Sequence, residues 1–273
     1  MEELTVEILA IGNELLLGLI PDTNAHWLSQ KITSVGGTVQ RITVVGDVVD
    51  QISSVIKDSL ARRPDWLIIS GGLGPTDDDR PIQAVADALE LKVELDNAAL
   101  EMLKKSYARR SRNYDLNEFR LKMAKIPVGS IPVQNPVGSA PSVLIETRAE
   151  TKIVCLPGVP KEMEMIFLES VLPQLTSRIG EYYVIQGNHE TTGVTEGMLA
   201  PIFTEIIQSN TPHSIYLKTH PQESVRRSGH KDEPRLRVRI VSKGKDKAEV
   251  EQRFETISRI ILDQISKLNG KLL

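Results

Sequence analysis

The chain has 273 residues, 25% of them charged, and a formal net charge of −3. That balance gives no global push toward nucleic acid or a membrane surface, and the single cysteine, Cys155, excludes a disulfide framework and an all-cysteine metal site. No apolar run approaches the ~18–20 residues that cross a bilayer, and no basic-then-apolar leader opens the chain, so a soluble cytoplasmic protein is expected.

In chain order, TVEILAI (5–11) is a β-rich run ending at Gly12. A helix is predicted from Thr23, with Trp27, Leu28, Ile32 and Val35 at helical spacing and Gly36 as its stop. TVQRITVV (38–45) reads as a second strand, and VVDQISSVIKDSLAR as a second helix burying Ile52, Val55, Ile56 and Leu60. DWLIIS (65–70) is a short apolar strand of the kind that parallel sheets cover on both faces. IQAVADAL continues as a helix behind Pro81. This alternation predicts right-handed crossovers and a doubly wound, three-layer α/β/α sheet.

Residues 95–125 interrupt the rhythm with a basic helical excursion, and the Pro-, Gly- and Ser-rich stretch IPVGSIPVQNPVGSAPS reads as loop. Short strands near 142–146 and 152–156 and a helix beginning near Pro160 follow. A composition shift near 176 divides the chain into predicted domains 1–175 and 176–273, the second a small β-α-β-β-α unit.

Ligands of an open doubly wound sheet bind beyond the carboxyl ends of its strands. Four segments there carry glycine, acid, amide or lysine: GNELLLGLIPDTN, Gly46-Asp47, SGGLGPTDDDRP (70–81) and LPGVPKE (156–162). The turn Gly71-Gly72-Leu73-Gly74-Pro75-Thr76 matches neither G-x-G-x-x-G nor a P-loop, yet such a turn exposes consecutive N–H groups to an anion. Asp79 can be read as an N-cap, whereas Asp77 and Asp78 have no capping role, and carboxylates beside a phosphate cradle suit a hard divalent ion. Glu14 and Asp47 are candidate metal ligands, bases or caps, and Asp22 and Thr23 read first as helix starters. Lys161 sits against the helix dipole at a helix start, which fits a nearby anion or equally a solvated lysine.

The five histidines show no metal-ligand spacing, no G-x-S-x-G is present, and Cys155 lies in an apolar strand where packing is its expected role. RLRVRI places Arg235, Arg237 and Arg239 on one side of a strand. With no aromatic residue interleaved among them, a solvated sheet face is expected there, and RNA contact is the lesser reading.

GNELLLGLIPDTN, VVGD, SGGLGPTDDD, NPVGSAPS (135–142) and LPGVPKEM together resemble the molybdopterin-binding-like (MoaB/MogA-type) domain family. Within it they resemble most closely the N-terminal part of the competence/damage-inducible protein A (CinA) family, over about residues 4–170. GVTEGMLA and SIYLKTHP of the small domain are similar to that family's second domain. The sequence departs from the family pattern where Asp77 replaces a usual His and Pro81-Ile82-Gln83 replaces T-R-E; Asp78 and Asp79 fall on the paired acids.

The resemblance implies a metal-dependent hydrolase of a nucleoside diphosphate sugar, splitting ADP-ribose into AMP and ribose 5-phosphate, without the deamidase domain of longer relatives. In that reading Gly71, Gly72, Gly74 and Thr76 hold the pyrophosphate. Asp78 and Asp79, with Asp47 or Glu14, hold divalent ions (Mg, Co, Mn or Ni) and supply the base. Asn135, Gly138, Ser139 and Lys161 bind ribose or phosphate. The alternative is a molybdopterin- or nucleotide-binding protein without turnover. A small-molecule ligand and a homodimer are the expected partners, and nucleic acid is not.

Overall fold

The computed structural model describes residues 4–76, 80–110, 115–148, 150–211, 214–222 and 233–273. The chain divides into two compact units, Met1–Thr33 with Gly37–Ile179, and Ser34–Gly36 with Gly180–Leu273. The first unit runs β1 (Thr5–Ile11), α1 (Asn13–Leu16), α2 (Thr23–Ser34), β2 (Thr38–Val45), α3 (Val49–Arg62), β3 (Trp66–Ser70) and α4 (Pro81–Leu89). It continues with β4 (Val93–Leu95), α5 (Asn97–Arg110), α6 (Glu118–Lys122), β5 (Lys125–Pro127), β6 (Ile131–Val133), β7 (Ser142–Glu146) and β8 (Lys152–Leu156). It closes with α7 (Pro160–Ile166), a π-helical turn (Phe167–Val171) and α8 (Leu172–Ile179).

Six strands form a sheet in the order β2-β1-β3-β8-β7-β6. The first four are parallel, and β7 and β6 add antiparallel at the far edge. Alternate side chains feed two cores, because successive residues of a strand point to opposite faces. Leu9, Leu67, Ile69, Ile153 and Cys155 pack with α3, α4 and α5 through Ile52, Ile56, Val85 and Leu103. Val6, Ile8, Ile68, Val154 and Leu156 pack with α2 and α7 through Leu28, Ile32, Met163 and Ile166. This is the three-layer α/β/α arrangement that the alternation of elements predicted.

Several features depart from the pattern: α1 forms in a strand-end segment with no expected helix, and β4 and β5 pair antiparallel at the ends of the helical excursion. In the Pro- and Gly-rich stretch read as loop, Ile131–Val133 forms β6, at the sheet edge where Pro132 is tolerated. The π-helical turn has a local cause in Pro173, which offers no N–H to the carbonyl of Glu169 and whose ring crowds it. The same turn sets fully buried Phe167 edge-on against Trp27, with ring centroids 5.6 Å apart.

One polar contact stands out in the first unit. Glu7, on the α3-facing side of β1, is only 3% exposed. Its carboxylate accepts two hydrogen bonds from Arg62 at the end of α3, at 2.6 and 2.7 Å. The bidentate pair fixes the rotation of α3 on the sheet.

The second unit runs β9 (Tyr183–Thr192), α9 (Glu196–Gln208), β10 (Ile215–Gln222), β11 (Arg235–Gly244), α10 (Lys247–Lys267) and β12 (Lys271–Leu272). Its sheet is antiparallel in the order β10-β11-β9-β12, the split βαβ arrangement of ferredoxin-like folds. Strand β12 is the one element of this unit absent from the sequence expectation; two residues long, it shows no periodicity. Asp246 caps α10 by accepting from the Glu249 N–H at 2.9 Å. Leu199 and Phe203 of α9 and Ile257, Ile261 and Ile265 of α10 cover Leu217, Leu236, Val238 and Ile240 on one face of the sheet.

Candidate functional site

Parallel strands in register send their loops out at one level. Ile11 pairs with Val45, Ala10 with Ser70, and Ser70 with Leu156. The four segments singled out in the sequence therefore leave the same edge of the sheet, where they surround a cavity of about 470 Å³. That volume suits a small organic ligand.

Backbone contacts knit the loops together. Gly12 N–H donates to the Val45 carbonyl at 3.1 Å, and Gly71 N–H to the Leu156 carbonyl at 3.0 Å. Asp47 Oδ2 accepts from the Asn13 N–H at 3.0 Å. Asn24 Nδ2 donates to Ser70 Oγ at 3.0 Å and to the Gly158 carbonyl at 2.9 Å, so the start of α2 braces two loops at once. Asp22 Oδ1 accepts from the Ala25 N–H at 2.9 Å, the capping role read for it from the sequence.

Gly71 has φ +117° and Gly72 φ +70°, conformations that L side chains rarely adopt. A Cβ on Gly71 would stand 2.3 Å from the Ile11 carbonyl oxygen. Beyond it, the N–H groups of Gly72, Leu73 and Gly74 have no acceptor among the described residues. A second cavity of about 140 Å³ lies along the same glycines and brings Arg80, Lys122 and Lys125 to them. The Lys122 ammonium donates to the Thr76 carbonyl. The turn is thus a row of donors with cations beside it, the physical requirement for holding phosphate.

Of the sequence-derived candidates, Glu14, Asp47, Gly71, Gly72, Gly74 and Ser139 line the main cavity. Asp78 and Asp79, with Asp77, lie outside the described residues. Thr76, Asn135, Gly138 and Lys161 are not part of its lining. Lys161 is exposed on the first turn of α7. Asn135, fully buried, instead builds the wall: its Nδ2 donates to the Ala140 carbonyl at 3.0 Å and to Glu162 Oε2 at 2.7 Å. Its Oδ1 accepts from the N–H groups of Val137 at 3.2 Å and Gly138 at 2.5 Å. Gly138 follows from this, since a Cβ there would meet Glu162 Oε2 at 1.9 Å. Asn135→Asp turns two donors into acceptors facing a carboxylate and should cost about 2–4 kcal/mol, measurable by urea unfolding.

Two lining residues, Tyr107 and Met123, lie outside every segment singled out from the sequence, and a third, Glu162, lies within LPGVPKE without being named as a site residue. Glu162 reaches the cavity from the first turn of α7, and its place five residues after the strand-end Pro157 was the available signal. Tyr107 and Met123 come from the helical excursion, which forms one wall of the cavity. The Arg120 guanidinium sits 4.7 Å from the Tyr107 ring centre and steadies that wall. No local pattern marks them: the excursion is closed at its base by the pair β4–β5, and α5 meets the rest of the unit through contacts distant in sequence, Leu103 in the core and Arg109 on the Pro136 carbonyl.

Among the described residues no group of three or more His, Cys, Asp or Glu side chains is placed to hold a metal ion. Among the described residues the acids lining the cavity are Glu14, Asp47 and Glu162, and Glu162 already accepts from Asn135. Cys155 is completely buried and burial pushes its thiol up to about 12, which leaves it packing and not nucleophilic.

The family model described as "Probable molybdopterin binding domain" matches residues 7–177. The protein SSO0103 of Saccharolobus solfataricus is 37% identical over 264 residues, covering 97% of this chain and 93% of its own length. A protein of Pyrobaculum calidifontis is 42% identical over 218 residues, 80% of this chain and 81% of its own. Among solved structures, the protein CinA of unknown function from Thermoplasma acidophilum is 37% identical with a TM-score of 0.57; the match covers 63% of this chain and 98% of that one. No helix among the described residues is long and apolar enough to cross a membrane.

Proposed function

The chain belongs to the family of probable molybdopterin binding domains, and from that premise we propose that its sheet-edge cavity binds a phosphorylated pterin or nucleotide. The observation that carries the reading is the row of N–H groups at Gly72, Leu73 and Gly74 that meet no acceptor among the described residues, on three residues that line a cavity with room for a ring system. The turn takes the phosphate, and Arg80, Lys122 and Lys125 lower the cost of bringing its charge there. Tyr107, Met123 and Leu73 offer apolar surface to a flat ring, and Ser139 offers a hydroxyl.

Calorimetry with molybdopterin, AMP and ADP-ribose tests this directly. Micromolar binding of at least one, lost in Gly158→Val, is the expected result. A Cβ at Gly158 meets only Gly71 Cα at 3.4 Å, so that variant should fold while filling space between the two glycine loops. Absence of binding by all three would remove the reading.

Hydrolysis of ADP-ribose is a further step on the same site, favoured by two acids, Glu14 and Asp47, at the rim of the phosphate turn. It is separated from simple binding by assaying AMP release with Mg, Co, Mn or Ni present. AMP that disappears in Asp47→Asn, with binding retained, marks turnover; retained binding without AMP marks a binding protein.

A further inference from the structure

We propose that the open face of the second unit's sheet binds single-stranded nucleic acid. Both helices of this unit pack on the opposite face, through Leu199, Phe203, Ile257 and Ile261. The free face carries Arg235, Arg237 and Arg239 from the inner strand β11, and Tyr216, Lys218 and His220 from the neighbouring β10. Register sets Lys218 opposite Arg239 and His220 opposite Arg237. Alternate residues of a strand lie about 6.7 Å apart and neighbouring strands about 4.8 Å apart, so the cations form a two-dimensional lattice. Tyr216, 50% exposed, stands at the end of that lattice, one register step from Lys218 and Arg239.

The charge on this face is one-sided. Glu190, the one acid the described strands place there, is already paired with Arg237 at 2.8 Å, and Glu233, just before β11, accepts from the Thr192 hydroxyl at 3.2 Å, opposite Arg235 in register. Arg239 Nε donates to Asn188 Oδ1 at 3.2 Å, a neutral partner that leaves its charge uncompensated. Lys218 and Arg235 have no acid partner among the described residues. A basic surface with a cavity of about 360 Å³ beside Arg235 and Arg237 complements a flexible phosphodiester chain, and Tyr, His and Arg planes are the groups on which splayed bases stack. The sequence alone concealed this mixture, because the ring-bearing residues lie on β10 and become neighbours of the arginines only through strand pairing.

The test is fluorescence anisotropy of the full chain with labelled oligo-U and oligo-dT, titrated between about 50 and 200 mM salt. With four cations engaged, the logarithm of affinity should fall with the logarithm of salt at a slope of about −3. Lys218→Ala/Arg235→Ala/Arg239→Ala should weaken binding at least ~10-fold and flatten the slope by about 2. Tyr216→Ala should weaken oligonucleotide binding about five-fold or more at unchanged slope, while leaving the affinity for inorganic polyphosphate as it was. Glu190→Gln should tighten binding, a gain that a folding defect cannot imitate. Tighter binding of oligo-U assigns RNA, and tighter binding of oligo-dT assigns DNA. The proposal is overturned by no binding at ~50 mM salt, by a triple variant that binds as the parent does, or by indifference to Tyr216→Ala, which would reduce the face to a general polyanion surface.

Discussion

Gly71→Ala should destabilise the first unit by about 3–5 kcal/mol and abolish ligand binding in whatever protein still folds. The positive φ of +117° alone costs a side chain about 1–3 kcal/mol. The larger obstacle is the Ile11 carbonyl oxygen, 2.3 Å from the new Cβ. That atom is backbone and belongs to β1, while the Gly71 N–H is tied to Leu156 at the end of β8, so neither side can yield without opening the sheet edge. Urea unfolding measures the first effect and calorimetry the second. A variant as stable as the parent would show that the β3 turn is not held as described. Gly158→Val is the matched control: at 3.4 Å its Cβ makes ordinary contact, and it should lose binding while keeping nearly all of its stability.

Arg62→Met should cost about 2–4 kcal/mol at neutral pH, and the cost should shrink as the solution is acidified. Burial acts to raise the pKa of Glu7. Hydrogen bonds from Arg62 and the charges of Arg62 and Arg41 outweigh it and hold the carboxyl below its ordinary value of 4.5. In the parent, therefore, the pair stabilises the fold fully above about 4.5, and that contribution is lost as pH falls through the lowered folded value. In the variant the hydrogen bonds and charge of Arg62 are gone and burial is opposed chiefly by the charge of Arg41, so the carboxyl shifts upward and acid neutralises a stranded charge. The two stability curves should converge toward low pH. The upper figure is tempered because the Arg62 side chain is 34% exposed and water takes up part of its charge. Parallel curves from neutral pH to below 4.5 would rule out an unpaired Glu7 as the origin of the loss.

The parallel core of the fold could be read from the sequence because its signals are local. β3 is five buried residues in a row, α3 buries Ile52 and Ile56 at helical spacing, and each loop at the site edge announces itself by glycine beside a strand end. What stayed hidden depends on contacts between distant segments. Glu7 in the middle of an apolar strand has no explanation until Arg62 arrives from 55 residues away. Asn135 reads as a ligand-binding amide through the resemblance that NPVGSAPS carries; its four hydrogen bonds go to its own loop and to Glu162 of α7. The excursion reads as an insertion because nothing in its periodicity tells that Tyr107 and Met123 face the cavity. The Asp77–Asp79 run, conspicuous in the sequence, lies outside the described residues.

Cys155, the chain's single thiol, sits at the centre of the sheet between β3 and β7 with no exposed surface. It is therefore a built-in clock for opening of that sheet. A thiol reagent can reach it only when the central strands part, so its labelling rate reports the free energy of the deepest opening, and not of fraying loops. Ligand that holds the four loops together should slow this labelling in proportion to its occupancy, which makes the native thiol a label-free gauge of binding. It also means that one cysteine introduced at the surface will react alone, with no need to remove the natural one.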